Sequence, residues 1–368
     1  MMNLFFLVEL RIIYFLLVVL LALGPIGCLN YGPISLKSER SKYNLAIQKT
    51  NDEQLLLNLV RLKYRDTPFF LEVGSVASQF KLKNKASITA QLESMVKDIF
   101  NLGVSTSYEE SPTVSYTPLH GDDFVKNILS TLPLKTITLL FHSGWSIERV
   151  FRVSCQLLGG LENAPGASGP TPKIAPQYKE FLKAVQYLQE IDDRDALRIN
   201  YQEVNGQPQM VLQISDEAKN SKSALKFART VNAVPGKSMY VLSHFPSPEQ
   251  VNHLRIVPRS FLGIMFYLSQ SIDIPTRDVL KGKVTLTKTL TGESFDWSDV
   301  TGDLLTIRSP NEEPLRSMVR IYYRNSWFYI DDSDLGSKST FSLLTQIYAL
   351  QSGAIKSTDP VLTIGVGS

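Results

Sequence analysis

The sequence predicts an α+β fold: two mixed lobes with antiparallel hairpins covered by helices, after an N-terminal signal or anchor. Three observations lead there. Apolar residues recur at helical spacing in some stretches and alternate with polar residues in others, and the two patterns interleave along the chain. Turn pairs such as Asn205-Gly206 separate adjacent alternating runs, as tight hairpins require. A glycine- and proline-rich stretch near the middle divides the pattern in two.

Residues 1–28 form the first element, a lipoprotein-type signal peptide. Ile12 to Leu23 is an unbroken apolar run followed by Gly24-Pro25, the small Gly27 and Cys28. As a helix the run spans roughly 18 Å, well short of the ~30 Å hydrocarbon core, which suits a cleaved signal better than a span. Counting Leu4 to Leu10 lengthens it enough for the alternative, an uncleaved N-terminal transmembrane anchor. The first reading makes Cys28 the lipidation site and the first mature residue. Leu29 rather than Asp follows it, so outer-membrane sorting is expected, with the protein facing the periplasm. Cys155 is the other cysteine; helical spacing from Ile147, Phe151 and Leu158 marks it as a small core residue.

Residues 29–158 are expected to form the N-terminal lobe. After a tether, Leu29 to Lys37, two helices are predicted. The second is capped by Asn51 with Gln54, carries Leu55, Leu56, Leu59, Val60 and Leu62, and stops before Pro68. From Phe69 to Pro118 the period changes to two, predicting short strands with "KNKA" and "EESP" as turns, interrupted by a helix-like "LESMVKDIFNLG". Helices follow at "DDFVKNILSTL", "LKTITLLF" and "SIERVFRVSCQLL".

Residues 159–176 hold so many glycines and prolines that a linker or a long exposed loop is expected. Residues 177–368 read as the C-terminal α+β lobe. It starts with the helix "QYKEFLKAVQYLQEI", the hairpin turning at Asn205-Gly206, the helix "DEAKNSKSALKFARTV" and the strand "SMYVLSHF". A helix from Pro258 to Gln270, a strand "LLTIRS", the hairpin "SMVRIYYRNSWFYIDD", a helix "SKSTFSLLTQIYALQS" and a last strand "PVLTIGVG" complete it.

The polar clusters fall short of known chemical motifs. A net charge of +3 is too mild for nucleic acid. His120, His142, His244 and His253 show no metal spacing, so neither metal nor cofactor is expected. Gly236-Lys237-Ser238 resembles the end of a phosphate loop but lacks its upstream glycine and reads as a turn. His142 beside Ser143 invites a hydrolase reading, yet no glycine precedes the serine as a nucleophile elbow needs. The blander reading is a turn that caps a helix from Ser146. Asp331, Asp332 and Asp334 with Gly336 miss calcium-loop spacing, and acids there suit the next helix's dipole. Asp192, Asp193 and Asp195 read as a solvated turn. Lys81, Lys83 and Lys85 share one face of a predicted strand, either as edge protection or as a contact for anionic lipid or glycan.

The stretches "YNLAIQKTNDEQLLLNLVRLKYRDTPFFL", "SYTPLHGDDF", "HSGWSIERV" and "WFYIDDSDLGSKSTFSLL" carry a resemblance to a largely uncharacterised family of bacterial envelope lipoproteins. That resemblance implies a Gram-negative envelope location and brings no catalytic residues with it. The expected function is a lipid-anchored periplasmic binding or assembly component of an envelope complex, without catalysis, meeting the membrane through Cys28 and a protein partner or its own copies. Two alternatives stand beside it. One is a tethered hydrolase using His142 or the Asp192 cluster. The other is an oligomeric pore built from hairpins, with Val104 and Tyr108 toward lipid; against it, the predicted strands are shorter than the ~9–11 residues a span needs.

Overall fold

Leu55, Leu56, Leu59, Val60 and Leu62 are buried, so the leucine-rich stripe packs as its spacing predicts. In the computed structural model, which describes Tyr14 and residues 31–90, 100–118, 122–170, 172–246, 252–352 and 362–365, the stripe belongs to one helix, α1 (Tyr31–Lys63). This replaces the two helices expected. No glycine or proline lies between Ser38 and Lys63, and weak formers such as Thr50 and Asn51 cost only tenths of a kcal/mol. Gln54, expected in a capping box, instead accepts a bond from the Leu71 amide at 3.1 Å.

The chain divides into two units, Met1–Asn51 and Asp52–Ser368. In the first, the described helical residues from 41 onward are exposed except for the half-buried Tyr43 and Ile47. The signal segment and Cys28 lie outside the described residues, and among those described no helix is long and apolar enough to cross a membrane.

The second unit is α+β, as the sequence predicts. It opens with two long strands, β1 (Leu71–Ala90) and β2 (Phe100–Pro118), followed by helices α2 (Asp122–Leu129), α3 (Leu134–His142) and α4 (Ile147–Ser154). Ser146 caps α4 by accepting from the Arg149 amide at 3.2 Å. Helix α4 was expected to continue through Cys155, but the backbone becomes extended there and forms β3 (Cys155–Leu158), because β8 (His253–Pro258) pairs with it.

Strands β3 and β8 lie in a six-stranded sheet whose order is β4 (Leu161–Glu162), β3, β8, β7 (Met239–Ser243), β6 (Gln207–Ile214), β5 (Leu197–Val204). All neighbours are antiparallel except β7 and β8. Asn205 and Gly206 both have positive φ, the conformation a two-residue hairpin turn demands. Helices α5 (Lys179–Asp192) and α6 (Lys222–Thr230) pack on each other, and their Phe181, Leu188 and Phe227 join Ile199, Leu212 and Tyr240 of the sheet in the core.

Residues 159–176, expected as a linker between lobes or a long exposed loop, lie within this one unit, where they contribute β4 and the buried Asn163, Ala164 and Ala167. The reason is side-chain bonding that breakers cannot signal. Asn163 donates to the carbonyls of Arg152 and Cys155 at 2.9 and 2.7 Å. Arg259, fully buried, donates to the carbonyls of Cys155 and Asn163 and to Ser168, and stacks over Tyr267 at 4.0 Å. Within the loop, the Asn163 carbonyl accepts from Arg259, the Ala164 carbonyl from the Ala167 amide and the Pro172 carbonyl from Thr287.

Three short elements, α7 (Phe261–Leu268), α8 (Thr276–Leu280) and α9 (Ser298–Thr301), lead to a second hairpin, β9 (Val319–Tyr323) and β10 (Ser326–Ile330). The expected strand "LLTIRS" makes only isolated bridges, Ile272 with Ile307 and Arg308 with Tyr329. Helix α10 (Leu335–Ser352) follows, and β11 (Leu362–Gly365) returns to pair with β2.

Candidate functional site

The long hairpin is rooted by α1. Asn58, buried in the leucine stripe, donates from Nδ2 to the Phe69 carbonyl at 2.8 Å and accepts from the Phe69 amide at 2.9 Å. One residue on, Phe70 is buried against Phe124, Tyr348 and Phe261, with ring centroids 5.6, 5.4 and 6.3 Å away. The two strands therefore leave the body from a held base.

Beyond it β1 runs 20 residues and β2 runs 19, roughly 65 Å of strand. They pass straight through "KNKA" and "EESP", where turns were expected; residues 91–99, which hold most of the helix-like stretch, lie outside the described residues. After one irregularity between Val73 and Ser75, the antiparallel register is unbroken to Ala90 opposite Phe100. Cross-strand partners share a row, and rows alternate. One row pairs Leu82 with Tyr108, Asn84 with Thr106, Ala86 with Val104, Ile88 with Leu102 and Ala90 with Phe100. The other pairs Lys81 with Glu109, Lys83 with Ser107, Lys85 with Ser105, Ser87 with Gly103 and Thr89 with Asn101. Every charged residue in this distal part lies on the second row.

Only the base of the hairpin has a third strand. Strand β11 pairs with Thr113 to Tyr116 of β2. Among the described residues, the rest of that edge and the whole outer edge of β1 have no partner strand.

In the body, the polar clusters singled out in the sequence bond to backbone and to neighbouring side chains. His142 and Ser143 are exposed at the end of α3, and the Ser143 hydroxyl donates to the Leu139 carbonyl at 2.8 Å, away from any base. Asp195 is paired with Arg198 at 2.8 Å and Asp193 accepts from Gln189, while partial burial and the neighbouring Asp193 raise the Asp192 carboxyl. Asp331 accepts from Ser333, Asp332 pairs with Lys338, and Asp334 caps α10 through the Ser337 amide and hydroxyl. Gly236, with φ +77, turns the chain toward β7. Among the described residues no three His, Cys, Asp or Glu side chains gather as a metal would need. Burial pushes the Cys155 thiol up to about 11, so it is a core residue and no nucleophile.

Two buried ionic groups complete the picture. Arg152 is clamped by both Asp303 oxygens and by Glu148, and its bonds hold the Asp303 carboxyl below the usual range. Lys63 donates to Oε1 of the Gln270 side chain at 3.0 Å, and burial lowers its amine to about 8. A cleft of about 360 Å³ lies between β4 and the start of α5, lined by Glu162, Gln177 and Glu180 among others. It brings no nucleophile, base and stabiliser together. Comparison of the chain with protein-family models, with curated proteins and with solved structures finds no match.

Proposed function

We propose that the protein is an envelope lipoprotein, acylated at Cys28 and held on the outer membrane facing the periplasm, whose copies associate and contribute the β1–β2 hairpin to a shared membrane-spanning barrel. The observation that supports it is the sorting of charge. From Leu82 to Ala90 the hairpin has the ~9 residues a tilted spanning strand needs, bounded on the same row by Glu110, opposite Phe80. Within that length one row carries no charge and has aromatic Tyr108 and Phe100 toward its two ends, as a lipid-facing surface requires. The other row is polar throughout, as a water-facing surface requires. The outer edge of β1 and the distal edge of β2, without partner strands among the described residues, are a liability that closure into a barrel removes. Acylation supplies the first hold on the membrane, and the resemblance to envelope lipoproteins agrees with that location.

The test uses the full chain purified in mild detergent. Ring-shaped oligomers in electron micrographs, and release of a trapped dye from vesicles of phosphatidylethanolamine and phosphatidylglycerol, are expected. A protein that stays monomeric and leaves the vesicles sealed would overturn the reading.

A further inference from the structure

We infer that the conduit is selective for anions. The inference rests on the barrel reading above and concerns the polar row alone. In the distal hairpin that row holds Lys81, Lys83 and Lys85 on β1, and its one acid is Glu109, opposite Lys81. Three lysines against one glutamate leave a charge of +2 on each copy. Lys83 and Lys85 are in register with Ser107 and Ser105, and the row's one acid, Glu109, is in register with Lys81.

Symmetry multiplies this. Copies arranged around an axis place each lysine position at the same height, giving stacked rings of positive charge where every hairpin adds its own. Charged rings around a narrow aqueous passage, with low-dielectric walls behind them, raise the local concentration of the opposite ion and exclude ions of like sign. The opposite arrangement would have been as easy to build, since Ser105 and Ser107 could have been acids facing those lysines. The ligand chemistry is that of small hydrated anions, chloride and inorganic phosphate included; the row offers no apolar lining for a hydrophobic solute.

The experiment is a planar bilayer of phosphatidylethanolamine and phosphatidylglycerol holding the full-length protein between unequal potassium chloride concentrations. The expected reversal potential corresponds to a chloride-to-potassium permeability ratio of about 5 or more. Lys83→Gln with Lys85→Gln should bring the ratio near one, and Lys83→Glu with Lys85→Glu should favour potassium, both with channels still formed. Channels of wild-type protein that prefer potassium, or show no preference, would overturn the inference and leave the barrel standing. Anion preference untouched by both double variants would also overturn it, because the lysine row would not be the source. Absence of any conductance from the wild type would remove the barrel reading, and the selectivity with it.

Discussion

Asn58 interrupts a run of leucines with a polar side chain, and that interruption is the signal by which its role could have been read. A buried amide must find partners, and here both go to the backbone of Phe69, two residues before β1. Asn58→Ala leaves that amide and carbonyl unanswered, so we expect a loss of about 1–3 kcal/mol in urea unfolding. An unchanged midpoint would mean the clamp is ornamental. Lys63 makes a second case. Burial lowers its folded-state amine to about 8 from the ordinary lysine value of 10.5, so the unfolded chain binds the extra proton between those values. Stability should therefore rise with pH across that window. Between pH 7 and 9.5 the wild type should gain roughly 2 kcal/mol relative to Lys63→Met. Parallel stability curves for the two proteins would refute it. Arg259 lay beyond any such reading, because its partners are carbonyls of residues about a hundred positions away.

At the scale of elements, the hairpin allows a test with one substitution moved by one residue. Ala86 and Ser87 sit at the same depth on opposite rows, opposite Val104 and Gly103. Ala86→Lys should cost about 2–4 kcal/mol per copy near the bilayer midplane and abolish dye release, while Ser87→Lys should leave it intact. Equal effects would mean that the rows do not divide lipid from water. The alternation of this region was legible from the start, but its length was not. "KNKA" holds no glycine or proline, and Lys83 and Lys85 simply continue the row begun by Lys81. Pro112 in "EESP" falls just past the β2 residues paired by β11, on an edge without a partner strand among the described residues, where proline is tolerated. Local turn propensity was outvoted by pairing between residues far apart in sequence. The same competition turns Cys155 from helix to strand, because "HLRIVP" forms β8 and pairs with it. Hairpins whose two strands are joined by Asn205-Gly206 and Arg324-Asn325 were anticipated, since there the local and the paired structure agree.

For the whole molecule, the expectation concerns how it is held. Cells fed a labelled fatty acid should mark the wild type and leave Cys28→Ser unlabelled, and the variant should leave the outer-membrane fraction. Equal labelling would discard the anchor. The mixture of helix and strand was legible in composition and periodicity, whereas the division of the chain was not: it falls between Asn51 and Asp52, in a continuous helix with no breaker to announce it. Glycine and proline report where backbone is irregular, not where a core ends. The short C-terminal strand has a consequence for assembly. By occupying β2 from Thr113 to Tyr116 it denies that stretch to the β1 strand of any neighbouring copy, whose zippering must halt at Pro112. In the proposed assembly β11 would act as a depth stop, setting the lowest rung at which copies could join and with it the height of the wall they would build.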